Sequence, residues 1–250
     1  MPLQTVEPQR LYRQIAAQLR TLIAQGEFAT GDRLPAERDL ASQLGVSRPS
    51  VREALIALEV EGWVEVRTGS GVYVLDRRAR ASATAGASSP SGLPCSPPAA
   101  LDAAEWGPLE LIRARRVIEG ETAAIAALQG KRRHFDAMAA AIASMRDMAD
   151  RAVMPLEGDR AFHVAIAEAG GNTVLTETVE RFWDSRRGPV FTRLGGHFET
   201  VPAWRAAIAE HEAVYDAVVA RDATSARQAM HAHMEKAHQR FSASWRRARK

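Results

Sequence analysis

In the stretch DRAFHVAIAEAG, Asp159 and His163 stand four residues apart. On a helix that spacing sends the carboxylate and the imidazole out from one face. The chain has seven histidines, all after residue 130. His211 lies in a segment with helical periodicity that begins near Pro202, and His231, His233 and His238 lie in the next one. Three helices can therefore bring one carboxylate and three imidazoles to a point. That donor set suits zinc, nickel, manganese or iron. A histidine on a helix is commonly a surface or core residue, so spacing alone leaves open which of them converge.

A second chemical pattern lies near the other end. LASQLGVSRPSVREAL, residues 40–55, is helical on both sides of an interruption at Gly45-Val46-Ser47. Gly45 can take the positive φ that a sharp helix-to-helix turn requires. Ser47 is suited to cap the next helix, and Pro49 is tolerated in its first turn. Arg48 and Arg52, four residues apart, share a face near that helix's start, where arginine can grip a guanine edge or a phosphate. Helix, tight turn, helix is the arrangement that presents a recognition helix to the DNA major groove.

The elements that hold these residues follow from apolar spacing. Leu11, Ile15, Leu19, Leu22 and Ile23 form a helical stripe ending near Gly26, and Ala36 to Leu44 forms a short second helix with Leu40 and Leu44 inward. The third helix runs from Arg48 to about Glu61, with Val51, Leu55 and Leu58 turned to the core. WVEVRTGSGVYVL then reads as a hairpin with a glycine-rich tip, a wing behind the helix-turn-helix. From residue 108 onward the pattern is helical throughout. It predicts six or seven helices, with Leu111, Ile118, Ile125 and Leu128 near one face of the first, and breaks at Gly130, Gly158, Gly170-Gly171-Asn172 and Gly195-Gly196. Trp183 and Trp204 are read as packing residues. The expected fold is mainly α. A winged helix-turn-helix with a small β wing over 8–76 and a linker over 77–107 precede an all-α bundle over 108–245.

The linker, rich in Ala, Ser, Pro and Gly, holds too little apolar surface to offset its ordering entropy. It contains the single cysteine, Cys95, so no internal disulfide is possible. Net charge is +3, yet the ten arginines and ten acidic residues up to residue 78 cancel. Any nucleic-acid surface must come from how charges are arranged, not from their sum. The basic end RRARK is read as a solvated tail. No apolar run is long enough to span a membrane. The start of the chain lacks a signal-peptide centre, and a cytoplasmic location is expected.

GDRLPAERDLASQLGVSRPSVREALIALEVEGWVEVRTGSGVYV resembles the winged helix of the GntR family of bacterial transcription regulators. The resemblance implies DNA contacts at Arg38, Arg48, Arg52, Thr68 and Gly69. Ala36 departs from the family's frequent serine there, removing a cap worth about 1 kcal/mol. RARRVIEGETAAIAA, DRAFHVAIAEAGGN and AEHEAVYDAVVARDATSARQAMHAHM resemble the FCD ligand-binding domain of FadR-type members. That resemblance implies Asp159, His163, His211 and His233 as metal ligands, zinc or nickel foremost and manganese or iron also compatible. His231 and His238 fall outside its pattern and are read as solvated. Arg115 matches a recurrent family arginine placed to meet an acidic effector, and Asn172 is the family's GN asparagine, a helix cap or a pocket group. The same motifs are most similar to those of regulators of hexuronate and other sugar-acid catabolism.

The expected function is a homodimeric regulator, a repressor, that binds a pseudo-palindromic site on double-stranded DNA and answers to a small carboxylic acid held at a metal. Two alternatives differ in class. In one, the metal is structural and the helical domain only dimerises. In the other, Asp and three His activate water in a metalloenzyme, a reading for which no further general base stands in a matching motif.

Overall fold

The computed structural model describes residues 10–67, 69–76 and 106–242. Thr68, Cys95, most of the expected linker and the basic end lie outside the described residues. Among those described, ten helices and one two-stranded sheet form a mainly α fold, a winged helix-turn-helix followed by an all-α set. The chain divides into two compact units.

In the first unit, α1 (Leu11–Ala24), α2 (Glu37–Leu44) and α3 (Arg48–Val60) precede β1 (Val64–Arg67) and β2 (Gly71–Val74). The inward face of α1 is Tyr12, Ile15, Ala16 and Leu19, whereas Leu11 is exposed. The stripe is thus centred one residue later than leucine and isoleucine alone suggest, because a tyrosine supplies its first member. α2 ends at Gly45, whose φ of 65° is the left-handed cap expected there. At the start of α3 the Ser50 amide donates to Ser47 Oγ at 3.3 Å, and proline occupies the first turn. Val51, Leu55 and Leu58 are wholly buried. Each such burial contributes about 1.5–3 kcal/mol relative to exposure. The antiparallel wing pairs Val64 with Val74 and Val66 with Val72, and all four valines face the core.

The helices that follow are α4 (Pro108–Gln129), α5 (Arg132–Asp150), α6 (Leu156–Ala169), α7 (Thr173–Ser185), α8 (Pro189–Phe198), α9 (Val201–Val219) and α10 (Ala223–Ser242), of which Pro189–Leu194 belongs to the first unit and the rest to the second. Helix α4 packs most extensively on α10, and α5 packs on both α6 and α9. The core of the second unit joins Ile142, Met145, Phe162, Ile166, Val214, Val218 and Met230.

Three expectations are corrected in this region. Leu128 is exposed, and α4 buries the expected Leu111 together with Ile112, Arg115, Glu119 and a row of alanines. Small residues let α10 come close, and a buried ion pair replaces an apolar contact. Gly158 does not break a helix but lies inside α6, where a Cβ would meet Met145 Cγ at 2.7 Å. Gly195 and Gly196 likewise fall inside α8. A glycine at a close helix crossing looks the same in sequence as a glycine in a turn.

Candidate metal centre and DNA-facing residues

In the first unit, Arg38 and Arg48 present exposed side chains, 84% and 52% accessible, and Gly69 is exposed at the wing tip with a φ of 85°. Arg52 differs from the sequence expectation. Its side chain is 1% accessible, and its Nε and Nη2 donate to Glu37 Oε1 and Oε2 at 2.8 and 2.6 Å. The four-residue spacing that puts Arg52 below Arg48 also turns it toward α2, where a glutamate in the first turn receives it. Arg48 Nη2 stands 3.9 Å from the same carboxylate. Glu37, unassigned by the sequence reading, therefore links the two arginines.

In the second unit, four side chains from three helices converge. Asp159 and His163 come from successive turns of α6, His211 from α9 and His233 from α10. One ligand atom from each lies within 4.8 Å of the other three. Asp159 Oδ1 is 3.0 Å from His211 Nε2 and 3.4 Å from His163 Nε2, and the two Nε2 atoms are 3.1 Å apart. Ligand atoms about 2.1 Å from one ion stand about 3.0–3.4 Å apart when adjacent, so these separations are those of a coordination edge. Two imidazole nitrogens facing each other and a carboxylate oxygen offer several lone pairs and few protons, the composition of a cation cradle.

The far sides of the imidazoles are also provided for. Glu119 Oε2 contacts His163 Nδ1, and Glu210 Oε2 is 2.8 Å from His233 Nδ1. A carboxylate behind each of these rings fixes the tautomer and leaves Nε2 free to bind a cation. Arg115 Nε and Nη2 donate to Glu119 at 2.6 and 3.2 Å, and Arg240 donates to both oxygens of Glu210 at 2.8 and 3.1 Å. Arg186 Nη1 donates to Asp159 Oδ2 at 3.0 Å, leaving Oδ1 turned to the histidines.

The protonation preferences agree with that layout at every group but His163. Burial works to raise the Glu119 carboxyl, but the charges and hydrogen bonds of Arg115 and His163 hold it at about 2. Glu210 is likewise held at about 2 against burial, by His233 and Arg240. Burial opposes ionisation of Asp159 too, yet hydrogen bonds from His163 and His211 and the charge of Arg186 keep it well below the usual carboxylate range. Burial, aided by the neighbouring histidines, pushes His233 down to about 3, and burial lowers His211. His163 moves the other way. Burial would lower it, but Glu119 and Asp159 outweigh that and raise it.

The four residues singled out in the sequence as candidate ligands thus come together. Arg115 lies beside them, but its guanidinium is buried against Glu119 and over the Trp183 ring. Asn172 does not join them, because its Oδ1 accepts from the Val174 and Leu175 amides as the cap of α7. His231, read as solvated, is half-buried where α10 crosses Gly120 of α4. The sequence reading assigned no role to Glu210, Arg186 or Glu199, and read Glu119 only as the neighbour of Arg115. The i, i+4 pair of Arg115 and Glu119 on an otherwise apolar face was the one visible signal.

Residues 11–74 match the bacterial regulatory proteins of the gntR family, and residues 110–236 match the FCD domain. The chain is similar to the Uxu operon transcriptional regulator of Escherichia coli K12, with 38% identity over 93% of this chain and 87% of the relative. It is similar to the Exu regulon transcriptional regulator of the same organism, 36% identical over 93% and 85%. A putative L-lactate dehydrogenase operon regulatory protein, also from E. coli K12, is 34% identical over 93% and 87%.

Proposed function

Because the chain belongs to the gntR family of bacterial regulatory proteins and carries an FCD domain, we propose that it is a homodimeric repressor whose helical domain binds a sugar acid at a divalent metal. Family membership makes it a metabolite-responsive transcriptional regulator and not an enzyme. The observation that carries the metal reading is the convergence of Asp159, His163, His211 and His233 on coordination-edge distances, with carboxylates behind two of the rings. A divalent ion there supplies open coordination positions for a carboxylate and its neighbouring hydroxyl. Zinc and nickel fit the imidazole-rich set best.

The residues around the cradle do the rest. Glu119 and Glu210 orient imidazoles, Arg186 orients Asp159, and Trp183 with Phe162 walls off water beside His163 and His211. Similarity to the Uxu and Exu regulators supports a sugar acid as the effector class. In the N-terminal domain, over 8–76, Arg38, Arg48 and Gly69 face DNA, and Thr68 is a further contact that the family resemblance implies. Arg52 acts there by holding α3 to Glu37 until a phosphate or base edge competes for it. Two such domains read a pseudo-palindromic operator in the cytoplasm. Acid binding favours the dimer state that fits the operator less well.

The test is fluorescence anisotropy on a DNA fragment that the protein itself selects from a random library. Metal-loaded protein releases the fragment when a hexuronate is added, and chelation abolishes the response. Melting on chelation, with no acid changing DNA affinity, would instead assign the ion a structural role.

A further inference from the structure

Arg186, at the end of α7, holds two carboxylates at once. Its Nη1 donates to Asp159 Oδ2 at 3.0 Å and its Nη2 to Glu199 Oε1 at 3.3 Å. The guanidinium lies 4.4 Å from the centroid of the Trp183 ring, and Arg115 lies at the same distance from that ring. Trp183 is in turn 5.1 Å from the His163 imidazole. One side of the metal cradle is therefore an indole carrying two guanidiniums. The Trp183 Nε1 is buried and has no acceptor among the described residues. A buried donor left unmet costs about 1–3 kcal/mol, so an oxygen brought to Trp183 Nε1 would be stabilised there.

The two carboxylates on Arg186 are not held equally. Asp159 is kept ionised by several partners, as described above. Glu199 lies at the end of α8, just before α9, and burial pushes its carboxyl up. The charge of Asp159 adds to that rise, and Arg186 and Arg240 do not cancel it. The Glu199 contact is also the longer of the two. Glu199 thus holds Arg186 through one oxygen at 3.3 Å, the looser of the two carboxylate contacts on that guanidinium.

We infer that Arg186 reads the carboxylate of the acid effector, and that Glu199 is an internal surrogate occupying Nη2 until the acid displaces it. This rests on the reading of the helical domain as an acid sensor. Arg186 then supplies discrimination between an acid and the corresponding neutral sugar, while the cradle takes neighbouring oxygens. Displacement also frees the corner between α8 and α9, the helix that carries His211, which gives the bound acid a mechanical consequence.

A competing carboxylate and a merely bracing one differ in the sign of their effect. If Arg186 and Glu199 only braced Asp159, weakening either would weaken the site. If Glu199 competes with the acid, removing its charge strengthens binding. The experiment is isothermal titration of the full-length zinc-loaded protein with D-galacturonate and D-glucuronate, and with D-galactose and D-glucose as neutral controls. In Glu199→Gln, uronate affinity should rise about tenfold, as expected when a competent state held back about nine-tenths of the time is released. Neutral sugars should gain nothing. In Arg186→Lys, which keeps the charge but loses the fork, uronate affinity should fall about tenfold.

Unchanged or weaker uronate binding in Glu199→Gln overturns the exchange. So does an equal gain for neutral sugars, a loss of bound zinc in that variant, or wild-type affinity in Arg186→Lys. Wild-type protein that holds zinc yet binds neither uronate overturns the acid-sensor reading for this class, and the exchange with it. Wild-type protein that binds uronate alongside an unaffected Glu199→Gln removes the exchange alone.

Discussion

Each unit of this chain buries a polar cluster, and the two are built on opposite plans. Under the recognition helix, Arg52 and Glu37 meet as one cation and one anion with two matched hydrogen bonds. Every strong donor there has an acceptor, and the pair is complete. Among α6, α9 and α10, three imidazoles and one carboxylate turn their lone pairs toward a common point. Opposite charges stand behind them, not between them. A closed pair positions what rests on it, whereas an open convergence is finished only by something that enters it. Burial alone does not separate a scaffold from a binding site; the direction in which the donors and acceptors point does.

The largest effect should come from opening the convergence. His211→Ala removes a cradle ligand that lies 3.0 Å from Asp159 Oδ1. Metal affinity, measured by competition with a chromogenic chelator, should fall at least about a hundredfold, since loss of an outer-shell partner alone costs about 10–100-fold. Operator affinity without acid should stay at the wild-type level. Full metal occupancy in this variant would mean that the histidines are a packed core cluster.

The closed pair makes a contrasting prediction. Arg52→Met strands Glu37 beside an apolar side chain and should cost about 3 kcal/mol in urea denaturation, as breaking a buried pair does. Arg48→Ala, on the exposed side of the same helix, should change stability by less than about 0.5 kcal/mol. It should weaken operator binding by about 1–3 kcal/mol in an anisotropy titration. Equal stability losses in the two variants would erase the distinction between positioning and contacting arginines.

The smallest effect concerns proton competition. Glu119 raises His163, so a proton competes with the metal for that ring beginning above pH 6.5, and metal affinity falls as pH drops. Glu119→Gln removes the main cause of the rise and should move that competition to lower pH. It should also weaken metal binding at pH 8 by about tenfold through the lost support of the ring. A pH profile identical to wild type would show that Glu119 does not act through His163.

What was legible in the sequence follows the same division. The helix-turn-helix was readable because its signals are local: Gly45 needs only its own backbone, and Ser47 needs only the amide of Ser50. The four cradle residues were readable through resemblance, since no spacing rule brings α6, α9 and α10 together. The burial of Arg52 was not readable, because periodicity treats a charge as facing water unless its partner is close in sequence, and Glu37 is fifteen residues away. Arg186 and Glu199 were missed for the same reason, and because their value depends on Asp159, twenty-seven residues before Arg186. Gly158 within α6 was misread because helix proximity is a tertiary fact: a Cβ there would meet Met145 of α5.

The central claim is that the open cluster is a metal cradle. Its most direct test is the metal content of full-length protein after dialysis against buffered zinc or nickel, read by plasma mass spectrometry together with thermal melting before and after chelation. The expected result is one divalent ion per chain, removed by chelator with a fall in melting temperature, and none in an Asp159→Asn, His163→Ala double variant that still folds. Wild-type protein that holds no stoichiometric metal and melts at the same temperature with and without chelator would contradict it.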